Sequence, residues 1–305
     1  MMQNLEKIKE NFKNRDRIIG ILSENQHIRA AFLRNTNSAK TAQANHKLTS
    51  VPASFLARAL MGSSMIANFL KGEERAIIEL LGKGPVSKIY AEASNNGESR
   101  GYVEFSDNVE STQRVQNSEN VVGVGFLKVT RILYDHAEPI TGIIELSNSD
   151  VASDLAYYFN KSEQIPTAVL MDVETDNNGI IKSSSGLIIQ AMPGSVYEEL
   201  HIIFHKVDEL MKKGKLFDNS KSIEELLSEI FPFKFFITKK GLIDFFCRCS
   251  KDNFLNALIT LDLKEIEEMQ HYHQNELVCK YCNKHYYLEN QDFAKIIEII
   301  KSRKN

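Results

Sequence analysis

An α+β fold is predicted for this 305-residue chain. It comprises an N-terminal mixed, largely antiparallel sheet domain with helices (residues 1–194), a helical linker (195–240) and a small C-terminal domain built around four cysteines (241–305). Three observations predict it. Residues 17–190 are rich in short β-branched runs broken by Gly, Pro, Asn or Asp, the pattern of strands and tight turns. After Met192-Pro193-Gly194-Ser195 the apolar residues fall at helical spacing. All the cysteines of the chain, Cys247, Cys249, Cys279 and Cys282, lie in the last quarter.

Arg17–Leu22 and His27–Leu33 predict two strands around the polar turn Ser23–Asn25. Pro52 to Leu70 predicts a helix: Phe55, Leu56, Ala59, Leu60, Met65, Ile66 and Phe69 share one face, Pro52 suits the first helical position, and Gly72 suits a stop. Arg75–Leu81, Val86–Ala93, Gly101–Phe105, Gly123–Leu133 and Ile140–Leu146 predict short strands. A helix over Ser149–Phe159 follows, capped by Ser149 or Asp150. Thr167–Val173 and Ile180–Gln190 form a hairpin closed around Asp176-Asn177-Asn178-Gly179.

In the linker, Leu200, Ile203, Phe204, Val207, Leu210 and Met211 make an apolar stripe, with charged residues over much of the remaining surface. A second short helix, Ser222–Ile230, opens with a capping box of Ser222 and Glu225. Phe231-Pro232-Phe233-Lys234-Phe235-Phe236 is strongly aromatic and reads as a buried strand joining the linker to the last domain, in preference to an exposed contact surface. That domain begins at Cys247-Arg248-Cys249. Helical patterns follow at Lys251–Leu261 and Lys264–Gln270. Short strands at Leu277–Val278 and His285–Leu288 flank Cys279-Lys280-Tyr281-Cys282, and a helix over Gln291–Lys301 closes it.

The net charge of −3 gives no global attraction to nucleic acid or acidic membranes. Residues 1–20 are charged and lack the apolar stretch of a signal peptide. No run of about 18 apolar residues predicts a membrane span. The expected location is therefore the cytoplasm, where thiols stay reduced and clustered cysteines serve metal binding or redox chemistry. Gly82-Lys83-Gly84-Pro85 lacks the ending of a phosphate loop, and Gly123-Val124-Gly125 lacks the third glycine of a dinucleotide fingerprint. No catalytic constellation is legible in residues 1–194, and the chain is not expected to be an enzyme.

A C-x-C with a C-x-x-C suits a tetrahedral thiolate zinc site. It equally suits two disulfides, one within each pair. Such a cluster is a candidate redox switch: zinc-bound thiolates are nucleophilic toward oxidants, and oxidation removes the ligands. Arg248, Lys251, Lys280 and Lys284 near the sulfurs favour thiolate. His271, His273 and His285 are close in sequence, but four sulfurs already complete a tetrahedron. So short a domain with so little apolar content needs the metal to fold. Two other classes fit parts of the pattern. A thiol–disulfide oxidoreductase would use Cys279 and Cys282 but lacks a βαβ setting. A zinc-ribbon nucleic-acid binder would use the basic tail Lys295, Lys301, Arg303 and Lys304 against an acidic balance.

Over roughly Asp16 to Phe293 the chain resembles the heat-shock protein 33 family. The resemblance is carried by Leu81-Gly82-Lys83-Gly84-Pro85, Ala91-Glu92-Ala93 and Arg100-Gly101-Tyr102-Val103. Asp154-Leu155-Ala156-Tyr157-Tyr158-Phe159 with Ser162-Glu163-Gln164-Ile165-Pro166 is the most specific stretch. Gly186-Leu187-Ile188-Ile189-Gln190, Met192-Pro193-Gly194 and the two cysteine pairs complete it. Asp107–Asn120 and Thr130–Glu138 follow the family loosely.

The resemblance implies a redox-regulated, ATP-independent holdase. Reduced protein would hold one zinc on Cys247, Cys249, Cys279 and Cys282 and be inactive. Oxidation would form disulfides Cys247–Cys249 and Cys279–Cys282, release zinc, unfold the C-terminal domain and loosen the linker. Apolar surface, including Leu200, Ile203, Phe204, Val207, Leu210 and Met211, would then meet unfolding client proteins, and the active form would be a homodimer. No nucleic acid, membrane or ATP enters that scheme.

Overall fold

The computed structural model describes residues 15–107, 120–147 and 150–303. The chain divides into two compact units, Met1–Phe246 and Cys247–Asn305. The expected Ser149 cap, most of the Asp107–Asn120 loop, Lys304 and the first fourteen residues of the N-terminal reading lie outside the described residues.

The first unit holds two sheets. Strands β1 (Arg17–Ser23), β2 (Ile28–Arg34), β8 (Thr167–Thr175), β9 (Ile181–Ala191) and β10 (Phe235–Leu242) make a five-stranded sheet in the order β10-β1-β2-β9-β8. Strands β3 (Arg75–Gly82), β4 (Val86–Ser94), β5 (Glu98–Phe105), β6 (Gly125–Ile132), β7 (Ile140–Glu145) and the short β11 (Asp244–Phe245) make a six-stranded sheet in the order β11-β5-β4-β3-β6-β7. All these pairings are antiparallel except β11 on β5.

Alternation along a strand sends neighbours to opposite faces. In the five-stranded sheet both faces are covered, so its central strands read as continuous apolar runs. Ile18, Leu33 and Ile188 face one core with the six-stranded sheet's Ile78, Leu80, Ile89 and Leu127. Ile19, Phe32 and Ile189 face a second core. Helix α2 (Ser50–Ala67) lies in the first core and is buried almost all round. Gly62 lets it approach the sheet: a Cβ there would stand 2.6 Å from Ile78 Cδ1. Helix α3 (Val151–Ser162) starts at Asp150, whose carboxylate accepts the Ser153 N–H.

The second core is closed by the linker helices, α4 (Tyr197–Lys212) and α5 (Ile223–Ile230). The Ser222–Glu225 capping box is formed as the sequence predicts. Ile203, Val207 and Leu210 are buried against the sheet together with Leu226, Leu227 and Ile230. Polar contacts pin the same segment. His27 Nδ1 lies 3.0 Å from Glu199, and Arg34 donates to the Asp218 and Lys221 carbonyls at 2.8 Å.

Some expectations are corrected. Thr36–Asn45 is a helix, α1, which the sequence reading missed. Helix α2 begins after Thr49 and ends at Ala67, so Pro52 is the third helical residue, within the first turn, rather than the first. Gly72 does take a positive φ of 49° just beyond. The Phe231–Phe236 segment is not one buried strand. Phe231 is buried and packs edge-on against Phe233 and Phe235, whereas Phe235 opens the edge strand β10 and Phe236 is largely exposed. Among the described residues no helix is long and apolar enough to cross a membrane.

Candidate metal centre

In the second unit, helices α6 (Lys251–Leu258), α7 (Leu263–His271) and α8 (Asn290–Arg303) pack around Leu258, Ile266, Leu288, Phe293, Ile296 and Ile300. That is a small core for an independent fold. Lys251 pairs with Asp292 at 2.7 Å, tying α6 to the start of α8.

Each cysteine pair is placed by a local turn. Cys247-Arg248-Cys249 runs into α6, whose N-cap Ser250 accepts the Asn253 N–H, while the Asn253 amide donates to the Arg248 carbonyl at 2.8 Å. Cys279-Lys280-Tyr281-Cys282 is the turn between β12 (Glu276–Val278) and β13 (His285–Tyr287). Cys279 N–H donates to Lys284 O, and Asn283 N–H to Cys279 O with Asn283 at φ 56°. This is a β-hairpin knuckle, not the βαβ setting of a thioredoxin-like C-x-x-C.

The two turns bring all four sulfurs within 4.8 Å of one another. Cys247 Sγ lies 3.6 Å from Cys279 Sγ, and Cys249 Sγ 3.4 Å from Cys282 Sγ. All four are free thiols; Cys279 is buried and the others half-buried. Four sulfurs about 2.3 Å from a central zinc would stand about 3.8 Å apart, so the cluster fits a tetrahedral thiolate site. The three histidines named above are absent from it: His285 instead bonds Glu276 at 2.7 Å, and His271 stacks edge-on against Tyr272.

The sulfurs differ electrostatically. Burial opposes ionisation of Cys249, but hydrogen bonds from Tyr286 and the other thiols outweigh it and draw its pKa down to about 7. Burial raises Cys247 and Cys282, and their sulfur neighbours raise them further; the Cys249 N–H and the Lys284 N–H, respectively, act in the opposite sense. Four thiolates this close repel one another, and a divalent cation among them removes that repulsion.

Tyr286 was not singled out from sequence. Its hydroxyl donates to the Cys249 carbonyl at 3.0 Å and lies 3.2 Å from Cys249 Sγ. Phe254 packs on its ring and Lys284 sits over it. The only sequence cue was an aromatic residue just after the knuckle. Lys251 and Lys284, read as cations favouring thiolate, are engaged by Asp292 and the Tyr286 ring. Of the linker stripe, Ile203, Val207 and Leu210 are buried and Leu200 half-buried, while Phe204 and Met211 are exposed.

The family model described as Hsp33 protein matches residues 16–289. The 33 kDa chaperonin of Streptococcus gordonii is 31% identical over 289 residues, covering 92% of this chain and 98% of the relative. That of Acetivibrio thermocellus is 31% identical over 296 residues, covering 95% and 99%. The crystal structure of the 33 kDa chaperonin (heat shock protein 33 homolog) of Thermotoga maritima superposes with a TM-score of 0.82 at 27% identity, covering 94% of this chain and 99% of that one. With the match spanning both the sheet unit and the four-cysteine cluster, the chain belongs to the Hsp33 family of chaperones.

Proposed function

We propose that the protein is a redox-gated, ATP-independent holdase of the cytoplasm and not an enzyme. The observation that carries this is the cluster of four sulfurs within 4.8 Å in a unit with a small apolar core. Cys247, Cys249, Cys279 and Cys282 are its ligands for one zinc ion. When bound, zinc keeps the sulfurs as thiolates and contributes on the order of 10 kcal/mol to folding the unit.

Hydrogen peroxide oxidises each pair. Two thiolates give up two electrons and join as a disulfide, and the peroxide takes the electrons and two protons to leave as two waters. The pairs are Cys247–Cys249 and Cys279–Cys282. Sulfurs also approach to 3.4 and 3.6 Å across the pairs, so peptide mapping of the oxidised protein tests this pairing directly.

With its ligands consumed, the unit unfolds and linker docking weakens. Detachment of α4 and α5 bares Leu200, Ile203, Val207 and Leu210, which join the already exposed Phe204 and Met211 of the α4 stripe, and the sheet face under them, Ile19, Phe32 and Ile189. This contiguous apolar surface binds unfolding client proteins, and the active form is a homodimer. Removal of one ligand tests the assignment: Cys279→Ser or Cys282→Ser abolishes tight zinc binding and loosens the C-terminal unit. Full zinc affinity in either variant would show that those sulfurs are not ligands.

A further inference from the structure

In the four-cysteine cluster, both backbone and side-chain groups reach the sulfurs. The Cys249 N–H serves Cys247 and the Lys284 N–H serves Cys282. Those two are backbone groups, fixed by the turns. The third group is the Tyr286 hydroxyl: it donates to the Cys249 carbonyl at 3.0 Å and stands 3.2 Å from the Cys249 sulfur, where, once that sulfur is a thiolate, the hydroxyl alone carries a hydrogen to share. Its ring is held from outside the cluster by Phe254, at 5.4 Å between centroids, and by Lys284, 5.2 Å from the ring centre. A side-chain donor can be removed without altering the backbone that places the sulfurs.

We infer that Tyr286 is a positioning residue that restrains the redox switch: its hydroxyl holds the Cys249 sulfur and withdraws charge from it, slowing attack on oxidants. This inference rests on the zinc-thiolate reading above. The chemistry gives its sign. Cys249 sulfur attacks a peroxide oxygen, the O–O bond breaks, and a sulfenic acid forms with release of hydroxide. The Cys247 thiolate then displaces a second hydroxide to form the disulfide, and the two hydroxides take up two protons. The sulfur's lone pair moves toward the oxidant in the first step, so a donor that stabilises the thiolate stabilises the starting state more than the transition state. Thiolate nucleophilicity falls by about half of what stabilises the anion, and a hydrogen bond to a charged acceptor is among the stronger ones. Removing the hydroxyl should therefore speed oxidation about threefold to tenfold.

The experiment uses the full-length reduced protein, loaded with zinc for rates and with cobalt(II) for spectra. Tyr286→Phe keeps the ring and its contact with Phe254. The expected result is zinc release by hydrogen peroxide about threefold to tenfold faster than wild type, with the sulfur-to-cobalt charge-transfer band shifted to lower energy. Phe254→Leu loosens the ring packing but keeps the hydroxyl, and it should shift the band less than Tyr286→Phe does. Coincident rates and bands in Tyr286→Phe and wild type would overturn the inference, as would the same band shift in Phe254→Leu. If the wild-type protein itself gives no tetrahedral tetrathiolate cobalt spectrum, the zinc-thiolate reading fails, which is a separate result from a silent Tyr286→Phe.

Discussion

Cys249 and Cys282 sit 3.4 Å apart yet are pulled in opposite directions, Cys249 down to about 7 and Cys282 up. The difference lies in their partners: Cys249 gains the Tyr286 hydroxyl, while burial and nearby sulfur dominate at Cys282. Zinc must displace whatever protons the four thiols carry, so affinity falls as pH falls. Cys249 is about half ionised at neutral pH, and the raised Cys247 and Cys282 are protonated there. Zinc binding at pH 7 should thus release at least two protons, from Cys247 and Cys282, counted by calorimetry in buffers of different ionisation heat. Release of about one proton would contradict ligation by four thiolates. The four cysteines were legible because the C-x-C and C-x-x-C spacings constrain geometry. Tyr286 was not, because nothing local marks which tyrosine of a short strand turns its hydroxyl to a sulfur folded in from Cys249.

At the level of elements, the linker helix α4 carries two kinds of apolar residue on one stripe. Ile203 is fully buried against the five-stranded sheet, while Met211 is exposed. Ile203→Ala should cost about 2–4 kcal/mol of packing. Under reducing conditions it should raise hydrogen exchange across residues 197–230 and give holdase activity without oxidant. Met211→Ala should leave docking as it is. Equal behaviour of the two variants would sever the link between this packing and activity. The stripe itself was plain from its spacing, but spacing could not say which members are covered. Helix α1 escaped the sequence reading because TNSAKTAQAN has only alanines for an apolar face. Strand β10 escaped because Lys239, Lys240 and Gly241 interrupt its pattern; as an edge strand it buries little. By contrast β1, β2 and β9 were legible because their apolar runs serve two cores at once.

For the whole molecule, the two units differ in what holds them. The first has two extensive apolar cores, and the second a handful of side chains beside four sulfurs. Chelation of the reduced protein should make the chain beyond Cys247 susceptible to proteolysis while the thermal unfolding of the first unit persists. Joint loss of both units, or a protease-resistant C-terminal unit after metal removal, would contradict this division. The α+β class and the four-cysteine unit could be read from pattern and cysteine spacing. The return of β10 to pair with β1 could not, because that pairing joins residues more than two hundred positions apart. In the proposed switch, loss of zinc and gain of client binding are one event. Its most direct test treats reduced, zinc-loaded protein with hydrogen peroxide at elevated temperature. Released zinc and suppression of a thermally unfolding client's aggregation are followed in the same sample. Both should rise together and both should reverse with dithiothreitol. Zinc release without holdase activity, or zinc retained under oxidation, would reduce the four cysteines to a structural clasp.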